Sequence, residues 1–287
     1  MTFSQIVLLF IAAILGGTLN SVAGGGSFIT LPSLIFTGVL PINANATSTV
    51  ALWPGSVASI GAYRKELMKQ KRTQVLLLSS TSLVGGILGA FLLLGTSQTT
   101  FIRLLPYLLL IATVLFTISS PLTTRLRQRQ IARSAALQKE TVVVQGQDTG
   151  QAAMTALPSP HPVEKRASWL VLVGIAFLQL IIAIYGGYFG GGIGILMLAS
   201  LGLMGMENIH EMNAMKTLLT TCINGVALII FVARGVVVWP QAILMVVGAI
   251  IGGFGGAYFA RKINPLWVRW FVIAVGLSMT IYFFLFP

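Results

Sequence analysis

The sequence predicts an all-α polytopic membrane protein made of two homologous repeats, inverted relative to one another. Three observations predict it. Of the 287 residues, 56% are hydrophobic and 8% charged, against about 25% charged in an ordinary soluble domain. Apolar runs of about 20 residues, long enough to span a hydrocarbon core, recur along the chain. A triple glycine appears twice, at Gly24-Gly25-Gly26 and Gly190-Gly191-Gly192, each time after such a run.

The first apolar run covers 3–22 and leads through Gly24-Gly25-Gly26-Ser27 into a short apolar segment at 27–40. Longer runs follow near 46–63, 74–95 and 101–120. The second repeat has the same order: a run at 168–188, the triplet, a short segment at 192–206, then runs near 212–233, 236–260 and 266–286. Each repeat therefore has about four long helices plus one short helix, broken or re-entrant. An outer-membrane barrel would show alternating ten-residue strands instead, and the sequence has none. Other features repeat in register. Asn45-Ala46 matches Asn213-Ala214, the stretch 84–89 matches 247–252, and Arg103 matches Arg269.

These limits define a first transmembrane repeat (1–120), a basic, mostly disordered cytoplasmic linker (121–167) and a second transmembrane repeat (168–287). The linker loses hydrophobic pattern through Gln145 to Gln151 and Pro158 to Pro162, so it cannot bury enough apolar surface to offset its ordering entropy. The net charge of +12 could suggest a nucleic-acid partner, but its location does not. Basic residues collect at 64–72, in the linker and at Arg261-Lys262, the pattern of the positive-inside rule. If the short segments cross, these clusters share one side and both termini lie outside. No basic region precedes the first run, which is read as a retained span. Cys222 is the single cysteine, so disulfides and cysteine metal clusters are excluded. Trp53, Trp239, Trp267 and Trp270 sit near span ends and read as interface anchors.

Two-fold membrane proteins with helices broken at corresponding places usually bind solute where the halves meet. The breaks at Gly24, Gly25, Gly26 and Ser27 and at Gly190, Gly191 and Gly192 would expose helix N-termini suited to an anion. Candidate solute ligands beside them are Asn20, Ser21, Asn45, Thr47 and Ser48 in the first repeat, and Tyr185, Asn213, Lys216, Thr217, Thr220 and Asn224 in the second. Asn213, Lys216, Thr217, Thr220 and Asn224 share one helical face by their spacing. Lys216 is the sharpest candidate, because a lysine inside a span either snorkels to the interface or supplies a fixed charge. Glu207, His210 and Glu211 precede that helix as coupling candidates. A cation pump buries carboxylates among its spans; this chain does not, which favours an anion. No metal-ligand spacing, cofactor motif or catalytic triad is present, so an enzyme is not expected.

The residues Ala23 to Phe28 with Pro32, Asn45-Ala46-Thr47-Ser48, Gly61-Ala62-Tyr63-Arg64, Tyr188 to Gly192 and Asn213-Ala214-Met215-Lys216 resemble the sulfite exporter TauE/SafE family, also called the toluene-sulfonate uptake permease family. The resemblance covers nearly everything except the linker. It implies a multi-pass permease of a bacterial or archaeal inner membrane, moving sulfite, an organosulfonate or a related small anion. The second repeat departs by placing Met215-Lys216 opposite Thr47-Ser48, which implies unequal work by the halves. The expected function is a secondary transporter working by alternating access. The alternatives are a channel-like anion uniporter and a non-transporting membrane assembly subunit. Expected partners are the anionic solute and membrane lipid, with no nucleic acid, and self-association into a homo-oligomer is left open.

Overall fold

A computed structural model describes residues 1–22, 24–114, 117, 169–206, 208–259 and 265–285. The linker, Glu207 and the Arg261-Lys262 turn lie outside the described residues. All regular structure among the described residues is helical. The first half of the chain holds α1 (Phe3–Val22), α2 (Ser27–Phe36), α3 (Pro41–Ala62), the short α4 (Arg64–Leu67), α5 (Arg72–Gly95) and α6 (Gln98–Val114). The second holds α7 (Trp169–Tyr188), α8 (Ile193–Leu203), α9 (Ile209–Ala233), α10 (Trp239–Phe259) and α11 (Pro265–Leu285).

Exposed apolar side chains show which solvent the fold is built for. Phe254 is 82% exposed, Ile229 65% and Phe177 63%, on outward faces that water would not favour and lipid does. Helices α1, α5 and α9 are each long and apolar enough to cross a bilayer on their own account. Helix α3 has the length, 22 residues, but carries Asn43, Asn45, Thr47, Ser48, Thr49 and Ser56. Its polar face turns inward; Asn45, Thr47, Ser48 and Ser56 are all buried. The helix starts at Pro41, five residues earlier than the hydrophobic pattern indicates, because proline at the first position suits a helix start.

The short helices fold back along the helices that precede them. Gln5 Nε2 donates to Thr37 O at 3.4 Å, so α2 runs back along α1 to the end where the chain starts. Likewise Gln179 Nε2 meets Met197 Sδ at 3.3 Å, so α8 runs back along α7. At about 15 Å for its 10 residues, α2 is too short to traverse a bilayer. Each short helix thus forms a hairpin with the helix before it, the break turning the chain through a half-circle. A hairpin leaves the direction of later helices as two crossings would. Helix α3 then leads from the terminal end of the bundle to the linker end, and α9 leads the opposite way.

Two helix pairs join the halves of the chain: α1 with α10, and α5 with α7. A Cβ at Gly248 would sit 2.9 Å from both Ala13 Cβ and Phe10 O, and one at Gly252 would strike Ile14 O. In the other pair, a Cβ at Gly85 would strike Ala183 Cβ and lie 2.9 Å from Leu180 O, and one at Gly89 would strike Ile184 O. The residues met in the two pairs, Phe10 and Leu180, Ala13 and Ala183, Ile14 and Ile184, keep one constant offset in sequence. Glycine permits this approach because it has no side chain to hold the backbones apart.

Candidate functional site

The two chain breaks meet near the middle of the bundle. Gly24, at φ +75°, and Gly190 and Gly192, at φ +74° and +73°, adopt the left-handed conformation that glycine takes without steric cost. A Cβ at Gly24 would lie 3.0 Å from Gly194 Cα, so the first break abuts the first turn of α8. Ser27, Ile193 and Gly194 stand in first helical turns, where N–H groups have no intrahelical partner.

A polar cavity lies against this junction. Its floor is Gly24, Ser27, Gly190, Ile193 and Gly194; Asn20 and Ser21 come from α1. Thr49, Leu52, Ser56 and Ser59 come from α3, and Lys216, Thr217, Thr220 and Asn224 from α9. About 30 Å³ is open to the centre of a water-sized sphere, room for one or two waters and the scale of a solute of few heavy atoms. Asn20 reaches the cavity because α1 continues about one turn further beyond Gly16-Gly17 than α7 does beyond Gly186-Gly187.

Lys216 is 4% exposed, so its stem does not carry the ammonium to the bilayer surface. The ammonium faces the cavity, and no carboxylate or hydrogen-bond acceptor pairs with it among the described residues. Burying an unpaired charge is costly, and the cavity offers that charge no protein anion among the described residues. Around it, Asn20 Nδ2 donates to Ser56 Oγ at 2.9 Å, fixing one amide across α1 and α3. The hydroxyls donate along their own helices: Thr217 to Asn213 O at 2.8 Å, Thr220 to Lys216 O at 2.9 Å, Ser59 to Gly55 O at 2.9 Å. Each can swing its proton toward a solute at the cost of one local bond.

Of the residues singled out from sequence, the cavity brings together Asn20, Ser21, Gly24, Ser27, Gly190, Lys216, Thr217, Thr220 and Asn224. The others lie outside its lining. Gly25 and Gly26 accept the first-turn bonds from Phe28 and Ile29, and Gly192 caps α8. Tyr185 OH donates to Gly191 O at 2.9 Å and pins the second break. Asn45 Nδ2 donates to Tyr188 O at 2.9 Å, Thr47 Oγ1 accepts from Val238 N–H at 3.0 Å, and Ser48 Oγ meets Thr30 Oγ1 at 2.6 Å. Asn213 lies one turn before Thr217 and contributes its carbonyl. Glu211 accepts from Gln70 Nε2 at 3.0 Å and from Asn208 Nδ2 at 3.3 Å, and His210 is exposed; both lie outside the cavity. Glu207 is outside the described residues.

Sequence reasoning missed Ile193 and Gly194 and, on α3, Leu52 and Ser59, which stand in line with Thr49 and Ser56, two polar residues that mark themselves in the sequence near the first break. The spacing of these α3 residues by three and four is the helical-face signal that picked out the α9 stripe. Trp53 belongs to the same helix and is corrected: it is half-buried, with Nε1 donating to Thr221 O at 3.1 Å, and ties α3 to α9 instead of anchoring at an interface. Trp239 and Trp270 are exposed near helix ends as anchors require; the Trp267 side chain lies outside the described residues.

Lipid-facing helices around a polar, cationic cavity at paired helix breaks define a membrane transporter. The family described as "Sulfite exporter TauE/SafE" matches residues 9–283, and the chain belongs to it. It is 25% identical over 274 residues to the "Probable membrane transporter protein YfcA" of Escherichia coli K12, covering 95% of this chain and 87% of that one. A "Probable membrane transporter protein" of Haemophilus influenzae is 22% identical over 277 residues, covering 96% and 92%. A "Probable membrane transporter protein ORF9" of a Sinorhizobium species is 23% identical over 282 residues, covering 98% and 93%. No solved structure matches. The protein is a multi-pass membrane transporter of the TauE/SafE type, and not an enzyme.

Proposed function

We propose that this transporter moves a small sulfur-containing oxyanion or organosulfonate by alternating access around the Lys216 cavity. The observation that carries the reading is Lys216, a buried residue in the lining beside two helix breaks, whose ammonium has no partner among the described residues. A cation would meet a repelling charge there, and a neutral amine would leave the ammonium's charge unbalanced; an oxyanion gains charge-assisted hydrogen bonds from Lys216 and neutral ones from the Asn and Thr groups. The sulfur chemistry rests on the family description. The reciprocal pairing of α1 with α10 and α5 with α7 supports two inverted halves that rock against each other, with the cavity as the fixed point. The basic loop at 64–72 and the linker give the linker end a cytoplasmic address by the positive-inside rule.

The test is counterflow by purified protein in liposomes, with sulfite, sulfate, thiosulfate, sulfoacetate, taurine and short carboxylates in parallel. Saturable exchange with preference for a sulfur oxyanion or sulfonate supports the proposal. Exchange confined to cations or neutral amines defeats it.

A further inference from the structure

We infer that Asn43, Asn45 and Thr47 form a gate at the terminal end of the transport path, and that Asn213 is its counterpart at the linker end. The inference rests on the alternating-access reading and adds to it which residues close each side. Along α3 the cavity begins at Thr49, about 12 Å from the helix start, and extends to Ser59, about 27 Å from it. The stretch between the terminal end and the cavity is crossed by three ties from the first repeat to the second. Asn43 Nδ2 donates to Val236 O at 2.8 Å, Asn45 Nδ2 to Tyr188 O at 2.9 Å, and Val238 N–H to Thr47 Oγ1 at 3.0 Å. Gln98 braces the outermost, donating to Asn43 Oδ1 at 3.2 Å and accepting from Ile42 N–H at 2.9 Å. Asn45 is 2% exposed and Thr47 wholly buried, so both are sealed from water, and a separation of the halves there must hydrate them.

The linker end repeats this plan with one element unmade. Glu211, near the start of α9, bonds Gln70 in the loop between α3 and α5 at 3.0 Å, as Asn43 near the start of α3 bonds the turn between α9 and α10. One step inward, Asn45-Ala46 corresponds to Asn213-Ala214 in sequence. Asn45 binds the carbonyl of the last residue of α7. The amide of Asn213 is half-buried and makes no hydrogen bond among the described residues. Its mirror acceptor is a carbonyl at the end of α1. The structure therefore has the terminal gate made and the inner linker-side bond open, and rocking the halves exchanges the two.

Two experiments test this. Cys222 is the single cysteine, so Cys222→Ser gives a thiol-free background. In it, Thr47→Cys with Val238→Cys puts thiols on two residues whose side-chain hydroxyl and backbone N–H stand 3.0 Å apart, which keeps their Cα atoms within about 7 Å, the reach of a disulfide. Oxidation should cut anion counterflow at least tenfold and dithiothreitol should restore it. Undiminished exchange by protein whose cross-link is verified by mass spectrometry overturns the gate. In the second experiment Ser59→Cys reports cavity access to a membrane-impermeant maleimide added from each side, without solute. Asn45→Ala should raise labelling from the terminal side about fivefold, since one buried bond holding that side closed is lost. Asn213→Ala should lower it, because its bond stabilises the opposite state. Shifts of the same sign, or none, overturn the assignment. Absence of counterflow in the unmodified protein would count against the transport reading, and labelling is scored independently of it.

Discussion

The reciprocal glycine contacts make a sharp prediction for Gly252→Ala. A Cβ there would strike Ile14 O and lie 2.7 Å from Ile14 C and 2.8 Å from its Cα. Every obstacle is backbone, so no side chain can rotate away, and α1 and α10 must part by about 1 Å at that point. Overpacking of this kind costs about 1–3 kcal/mol, and the small helix-propensity gain of alanine, about 1 kcal/mol, offsets only part of it. Two neighbours on the same helix serve as controls. A Cβ at Gly253 would meet Gly55 Cα at 3.6 Å, an ordinary contact, and one at Gly255 would meet nothing within 4 Å. Thermal unfolding in detergent, followed by size-exclusion chromatography, should place Gly252→Ala several degrees below the parent and Gly255→Ala at or above it. Gly89→Ala, which strikes Ile184 O in the mirrored pair, should behave like Gly252→Ala. Equal melting of Gly252→Ala and Gly255→Ala would refute the close approach of α1 and α10.

Other expectations follow from the same geometry. Gly24→Ala forces a left-handed residue against Gly194; at about 1–2 kcal/mol for the conformation alone, exchange should slow markedly with expression maintained, and an active, well-expressed variant would count against the break. Trp53→Phe removes the 3.1 Å bond to Thr221 O and should cost about 1 kcal/mol of stability, read as a lower melting temperature. Reporter fusions at Met1 and Pro287 should both read outside; two cytoplasmic readings would reverse the proposed orientation.

Much of the fold is visible in the sequence because a bilayer leaves few choices. Apolar length and the repeated glycines mark the spans and breaks, and Lys216 stands out because a charge inside a span needs a reason. What the sequence hides is direction. Nothing local in Ser27–Phe36 tells whether the helix continues onward or folds back on α1; that is set by the contact of Gln5 with Thr37, and of Gly16 with Gly26 and Thr30. The roles of like residues are hidden for the same reason. Asn20 and Asn45 are the same chemistry near the same break, yet one more turn of α1 puts Asn20 in the cavity, while Asn45 spends its amide on Tyr188. The stripe Thr49, Ser56, Ser59 on α3 was readable by spacing, but serine and threonine bond their own backbone so readily that a polar face alone does not separate a solute path from a helix contact.

The most direct measurement of the central claim is anion affinity in Lys216 variants, taken with purified protein in nanodiscs and sulfite and ethanesulfonate as probes. Lys216→Met keeps the stem of a buried residue and removes an ammonium that has no partner among the described residues. Loss of one charge-assisted hydrogen bond costs about 1.5–3 kcal/mol, or about ten- to a hundredfold in Kd. The same change relieves a buried charge, so the empty variant should melt no lower than the parent, which separates lost binding from lost folding. Lys216→Arg keeps the charge in a different shape and should retain part of the affinity. An account built on Lys216 predicts weaker binding together with undiminished stability. Unchanged Kd values in a folded Lys216→Met protein would contradict it.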